Sequence, residues 1–263
     1  GPHDRDETIG PNRPFKDIAW GLASRGIAVL RYEKRTKAYA RKVTPTSMTV
    51  KEEVIDDALE AIDFLRSRSE VDSRKIFLLG HSLGAMLAPE IATLSGKLAG
   101  IIVAAGPARH LEDVIVDQIE YITSLKESPA DADEKMLSDL KENLARLKAH
   151  TLPDSARIIG IPARYLYDLG RRDQVQFARD LRIPILILQG ERDYQVTMED
   201  ISLWNRAIGN RADVKIITYP DLNHLFATGS GKAKPEEYLR LGYVANQLIE
   251  DVSSWIKENS PAK

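Results

Sequence analysis

The residues of this chain best suited to chemistry are a serine, an aspartate and a histidine, each following an apolar run. Ser82 stands in Gly80-His81-Ser82-Leu83-Gly84, directly behind Ile76-Phe77-Leu78-Leu79. Asp193 follows Ile183–Leu188 by way of Gln189-Gly190, and His224 comes soon after Val214–Tyr219. A serine hydroxyl is a weak nucleophile at neutral pH. A neighbouring imidazole can take its proton, and a carboxylate behind that imidazole fixes its tautomer and steadies the cation that forms. The three types together are a set for covalent acyl transfer. Glu191 or Asp200 are alternative sources of the carboxylate, and His3, His110 and His150 of the imidazole.

The surroundings of Ser82 give this set its geometry. The apolar run before it reads as a strand buried on both faces. The small and apolar residues after it (Ala85, Ala88, Ile91, Ala92) recur at helical spacing. A strand turning straight into a helix around a serine is a nucleophile elbow. Backbones approach closely in such a turn, so a side chain at Gly80 or Gly84 is expected to collide. The hydroxyl is lifted toward the positive end of the helix, where the N–H of Leu83 meets an oxyanion. His81 inside the elbow, with Met86, Tyr194, Leu225 and Phe226 beside the three reacting residues, are the expected pocket walls. Core packing is the competing role for each.

The elements that must position these groups alternate along the chain. A polar start, Gly1 to Thr8, leads into a helix at about Phe15–Ser24 that stops at Gly26. Ile27–Tyr32 reads as a buried strand and Lys34–Thr46 as a basic loop. Thr49-x-x-Glu52 is a capping box opening a helix to about Arg68. After the elbow, Leu98–Ala105 is another apolar run. Residues 108–180 then show amphipathic helices, clearest at about Glu134–Ala149, with no convincing strand. Strands return at Ile183–Leu188 and Val214–Tyr219, with a helix at about Met198–Ile208 between them and a last one at about Val244–Glu258. Such alternation implies a mostly parallel, doubly wound sheet with helices on both faces and its site at the carboxyl ends of the strands. The insert 108–180 is expected to sit over that edge as a helical cap, with a peripheral position as its competitor. The core comprises 1–107 and 181–263.

Composition narrows the function classes. The 263 residues carry 37 Lys and Arg against 39 Asp and Glu, scattered, which points away from nucleic acid. With no cysteine, disulfides, a thiol nucleophile and thiolate metal sites are excluded. No apolar run has the length of a bilayer span. No His/Asp/Glu group has metal-ligand spacing and no glycine-rich loop cradles a phosphate, so neither metal nor cofactor is expected. The compartment stays open.

The chain resembles bacterial α/β-hydrolases of the carboxylesterase type, close to the prolyl-oligopeptidase-like and dienelactone-hydrolase-like branch. The likeness runs over nearly the whole chain. It is most specific in Gly1-Pro2-His3-Asp4-Arg5-Asp6, Leu30-Arg31-Tyr32-Glu33-Lys34-Arg35-Thr36, Gly80-His81-Ser82-Leu83-Gly84, Gln189-Gly190-Glu191-Arg192-Asp193-Tyr194-Gln195-Val196 and Leu222-Asn223-His224-Leu225-Phe226. The resemblance implies a Ser82/Asp193/His224 triad and hydrolysis of small carboxylic esters through an acyl-enzyme. Amides, peptides or thioesters are the alternative substrates, and a non-catalytic binding protein on the same fold is the alternative class. In that family Gly1-Pro2 would end a His-Gly-Ser-Gly-Pro oxyanion loop entered from a central strand. That strand is not in this sequence, which implies a fragment of a longer chain whose N-terminal segment or domain would be its partner. Pro2 has no N–H to donate, so the second oxyanion donor falls to Gly1, His3 or residues upstream.

Overall fold

The computed structural model describes residues 3–41, 48–127 and 130–261. Four strands form its main sheet: β1 (Phe77–His81), β2 (Gly100–Ala104), β5 (Ile185–Gly190) and β6 (Val214–Tyr219). They lie in the order β1-β2-β5-β6 and every pairing is parallel, with Leu79 opposite Ile102, Ile102 opposite Leu186, and Leu186 opposite Lys215. Parallel strands require crossovers, and the chain supplies them as helices.

Alternation along β2 and β5 divides the core in two. Ile101, Val103, Ile185 and Ile187 face α3 (Asp56–Arg66), α4 (Leu83–Ser95) and α9 (Met198–Ile208). Ile102, Ala104, Leu186 and Leu188 face α1 (Pro14–Ala23) and α10 (Asn246–Glu258). All eight are essentially inaccessible, and burying each large one contributes about 1.5–3 kcal/mol. Two buried layers back to back hold the strand ends rigidly, and the site depends on those ends.

Half of the capping box forms, since no backbone N–H donates to the Thr49 hydroxyl among the described residues. The carboxylate of Glu52 accepts from the Thr49 N–H at 2.9 Å and from its hydroxyl. The first turn after it, Lys51–Ile55, is π-helical and runs on into α3. The basic loop opens with one helical turn, α2 (Arg35–Ala38); its residues 42–47 lie outside the described residues.

Ile27–Tyr32 is not a strand. Its backbone joins no β-ladder among the described residues, and Val29, Leu30 and Tyr32 are more than one-third exposed. Apolar character marks a segment able to line a sheet, but a strand exists only where a neighbour takes its N–H and C=O groups. Here Tyr32 and Lys34 line the same cavity as Leu78 and Gly80 of β1.

The insert holds α5 (Leu111–Ser124), α6 (Asp131–Lys148), α7 (Ala163–Gly170) and α8 (Gln174–Asp180). It is not purely helical. Arg157–Ile158 (β3) and Ile161–Pro162 (β4) form a short antiparallel hairpin around Ile159 and Gly160, both at positive φ. Two-residue strands are too short for alternation to betray them. Leu140, Leu144, Leu147, Ile158 and Leu166 give the insert its own core, while Leu169 and Ala178 join the core of the sheet beside α4. Among the described residues no helix is long and apolar enough to cross a membrane.

Candidate active site

The elbow follows from two backbone facts. Ser82, between β1 and α4, has φ +53° and ψ −118°, outside the usual regions for a side-chain-bearing residue. Its N–H donates to Ala104 O at 3.0 Å and its C=O accepts from Met86 N at 3.0 Å, so neighbouring elements hold the strained residue from both sides. A Cβ on Gly80 would lie 2.2 Å from the carbonyl oxygen of Gly84, whereas one on Gly84 would meet nothing within 4 Å. The expected collision is therefore real at Gly80 and absent at Gly84, which opens onto the cavity.

That cavity, about 210 Å³, is lined by Ser82, Leu83 and His224 together with His3, Glu7 and Gln195. Leu83 opens α4, and its N–H has no hydrogen-bond partner among the described residues. Such first-turn donors are the ones free to hold an anion. His3 faces the same space, and its burial lowers its pKa. Gly1 lies outside the described residues.

Asp193 and His224 meet behind Ser82. His224 Nδ1 is 2.7 Å from Asp193 Oδ2, in a contact where both side chains are buried. The same carboxylate oxygen accepts from Gln189 Nε2 at 3.0 Å, and Oδ1 accepts from the N–H groups of Gln195 and Val196 at 2.7 and 3.0 Å. An acceptor saturated this way is held in place. The imidazole must then carry its proton on Nδ1, which turns the lone pair of Nε2 outward as a base. The Ser82 hydroxyl makes no hydrogen bond among the described residues; such contacts often tighten only when substrate binds.

The alternative acids and bases have other partners. Asp200 accepts from the N–H groups of Ala108 and Arg109 and from the Arg109 guanidinium, at 2.9–3.3 Å. Glu191 accepts from the Thr218 hydroxyl at 2.7 Å. His150 stacks on Tyr167 with ring centres 4.8 Å apart, and His110 immediately precedes α5; neither lines the cavity.

Of the expected pocket walls, only His81 lines the cavity. Met86 and Phe226 are about 1 % exposed, packed one on each side of the sheet, and Leu225 is buried nearby. Tyr194 lies flat against Tyr121 of α5, with centres 5.1 Å apart, and joins the insert to the loop that carries Asp193. Adjacency in sequence put these residues beside the site, but the side chains of Met86 and Phe226 turn into the core and that of Tyr194 turns to the insert. Gln189 and Glu7 were missed. Gln189 did leave a signal, as a polar residue directly behind the apolar run Ile183–Leu188. Glu7 left none, because nothing in a polar loop marks one acid as destined for burial. Among the described residues no group of three or more His, Cys, Asp or Glu could hold a metal ion.

The model of the family described as serine aminopeptidase, S33, matches residues 12–228. Esterase EstD of Thermotoga maritima is 47% identical over 259 residues, which is 97% of this chain and 60% of that protein. The chain thus spans about three-fifths of the length of that relative. Among solved structures, Est1E from Butyrivibrio proteoclasticus superimposes with a TM-score of 0.60 at 16% identity, covering 94% of this chain and 82% of that one. An esterase of Pyrococcus furiosus gives 0.57 at 15% identity, covering 94% and 76%. At such identities the two structures speak for the α/β-hydrolase fold.

Proposed function

The chain belongs to the family described as serine aminopeptidase, S33, among the α/β-hydrolases, and on that premise we propose that it cleaves carboxylic esters through an acyl-enzyme on Ser82. The observation that carries this reading is the buried 2.7 Å contact between Asp193 and His224, whose ring lines the same cavity as Ser82. Its 47% identity to a protein named as an esterase supports the ester as the bond attacked. His224 Nε2 takes the proton of Ser82 as its oxygen adds to the ester carbonyl. The N–H of Leu83 and a donor from the N-terminal loop, His3 among the described residues, receive the negative charge. His224 then returns the proton to the leaving alcohol and later activates the water that frees the acid. The cavity volume favours short acyl chains. The insert 108–180 would act as a cap on the core formed by 1–107 and 181–263. The hydrogen bond from Gln118 Nε2 to Gln195 O, 3.0 Å, supports that placement, because Gln195 lines the cavity.

Hydrolysis of p-nitrophenyl esters from acetate to decanoate tests the reading. Turnover should fall as the chain lengthens, and Ser82→Ala should lose roughly 10⁴-fold or more. Turnover on none of the esters, or turnover undiminished in Ser82→Ala, would refute it. The family description favours a second reading, cleavage of amides by the same residues. Activity on aminoacyl p-nitroanilides exceeding that on every ester would select it.

A further inference from the structure

Behind the catalytic histidine lies a second histidine–carboxylate pair for which the mechanism above has no use. His81 Nδ1 is 2.9 Å from Glu7 Oε1, and His81 Nε2 is 2.8 Å from the main-chain oxygen of His224. The ring is held between the edges of Phe15 and Phe226, at 6.2 and 5.8 Å, and its centre is 4.7 Å from that of His224. A carbonyl oxygen can only accept, so Nε2 carries a hydrogen and donates it to His224. Nδ1 donates to Glu7 when the ring is charged.

As a stabilising device this pair is poorly made. Taking two charges out of water costs several kcal/mol each, and an apolar pair of equal volume would do as well or better. Moreover Glu7 Oε2 is buried without a hydrogen-bond partner among the described residues, which adds to the cost. What the pair does achieve is a fixed main-chain position for one residue, the one whose imidazole must reach Ser82. We propose that Glu7 and His81 are positioning residues that clamp the His224 backbone from behind and so set the reach of its imidazole toward Ser82. This rests on the triad reading above and extends it.

The charge state fits the geometry. Burial acts to lower the His81 pKa, but the charge and hydrogen bond of Glu7, then the His224 carbonyl, outweigh it and raise the value. Burial likewise acts to raise Glu7, and the facing His81, with smaller contributions from His224 and His3, brings it below its ordinary value. Asp193 also acts on His81 in the raising direction, and the titratable ring of His224 faces it at 4.7 Å. Deprotonating His81 removes one of its two donors, so either Glu7 or the His224 carbonyl then faces a lone pair.

Four variants test the clamp on the ester that the chain hydrolyses best: His81→Leu, His81→Gln, Glu7→Gln and Ser82→Ala. The rate of Ser82 labelling by a fluorophosphonate is a second readout. His81→Leu should lose on the order of a hundredfold in kcat with KM within about twofold, the scale of a misplaced catalytic group. Labelling of Ser82 should slow in parallel. His81→Gln, whose amide can still donate to the His224 carbonyl, should recover most of that loss. Glu7→Gln can donate to a neutral ring, so it should abolish the fall in kcat that the native pair produces as pH rises through the raised His81 pKa. A folded His81→Leu with native kcat and labelling rate would overturn the proposal. If that variant does not fold, a Glu7→Gln profile matching the native one overturns it instead. Undiminished turnover in Ser82→Ala, or labelling elsewhere than Ser82, is a different failure. That result sinks the triad reading, and the clamp with it.

Discussion

The α-carbon of Gly80 is packed against the carbonyl of Gly84, so closely that a methyl group on Gly80 would lie 2.2 Å from the oxygen and 2.4 Å from its carbon. Both atoms are backbone at the start of α4 and cannot yield without moving the elbow. Gly80→Ala is therefore expected to destabilise the fold by about 3 kcal/mol or more and to abolish activity. Gly84→Ala, with nothing near its new methyl, should keep native stability and act only through the volume of the cavity. Thermal denaturation of the two variants side by side checks this, and equal losses would contradict it.

Stability should depend on pH through Glu7 and His81 in a particular window. The folded-state pKa of His81 is raised above its ordinary 6.5, so its contribution is complete below 6.5 and is lost as pH rises through the raised value. That of Glu7 is lowered below 4.5, so its contribution is complete above 4.5 and is lost as pH falls through the lowered value. The stability difference between the native chain and Glu7→Gln should thus be greatest between pH 4.5 and 6.5 and shrink on both sides. Urea denaturation from pH 4 to 9 measures it. A difference that does not vary with pH would mean the pair is uncharged.

Asp200 fixes the point where the chain leaves β2 for the insert. Its inaccessible carboxylate holds two backbone N–H groups and a guanidinium that Asp117 and Glu199 also contact. Asp200→Ala leaves two part-buried backbone donors without their acceptor and the guanidinium with Asp117 and Glu199 alone, at a cost of about 2 kcal/mol. Because the Nδ1 of His224 contacts Asp193 and not Asp200, residual folded protein should keep a native kcat. A denaturation midpoint unchanged from the native one would refute the first part, and a lowered kcat the second.

The sequence revealed whatever depends on nearby residues. β6 and α9 have the limits read from the apolar pattern, and the elbow is written in five consecutive residues. Ile27–Tyr32 misled because pattern reports apolarity and not the presence of a partner. The β3–β4 hairpin was too short to register. The walls of the cavity were misplaced for a related reason: Met86 and Phe226 are neighbours of reacting residues along the chain, and a residue's neighbour points elsewhere. Glu7 was illegible because its meaning lies in a contact with His81, 74 positions away.

The two members that prepare the base are organised over very different spans of chain. Every group that orients Asp193, His224 apart, lies between Gln189 and Val196, so the acid is set as soon as β5 and its following turn exist. The histidine's backbone is secured by His81, 143 positions away, which is itself held by a residue in the opening loop. Closing such long loops costs entropy that only a nearly finished core can offset. On the proposed function, Ser82 would therefore gain its base late in folding, and a half-formed chain is expected to carry no stray reactivity.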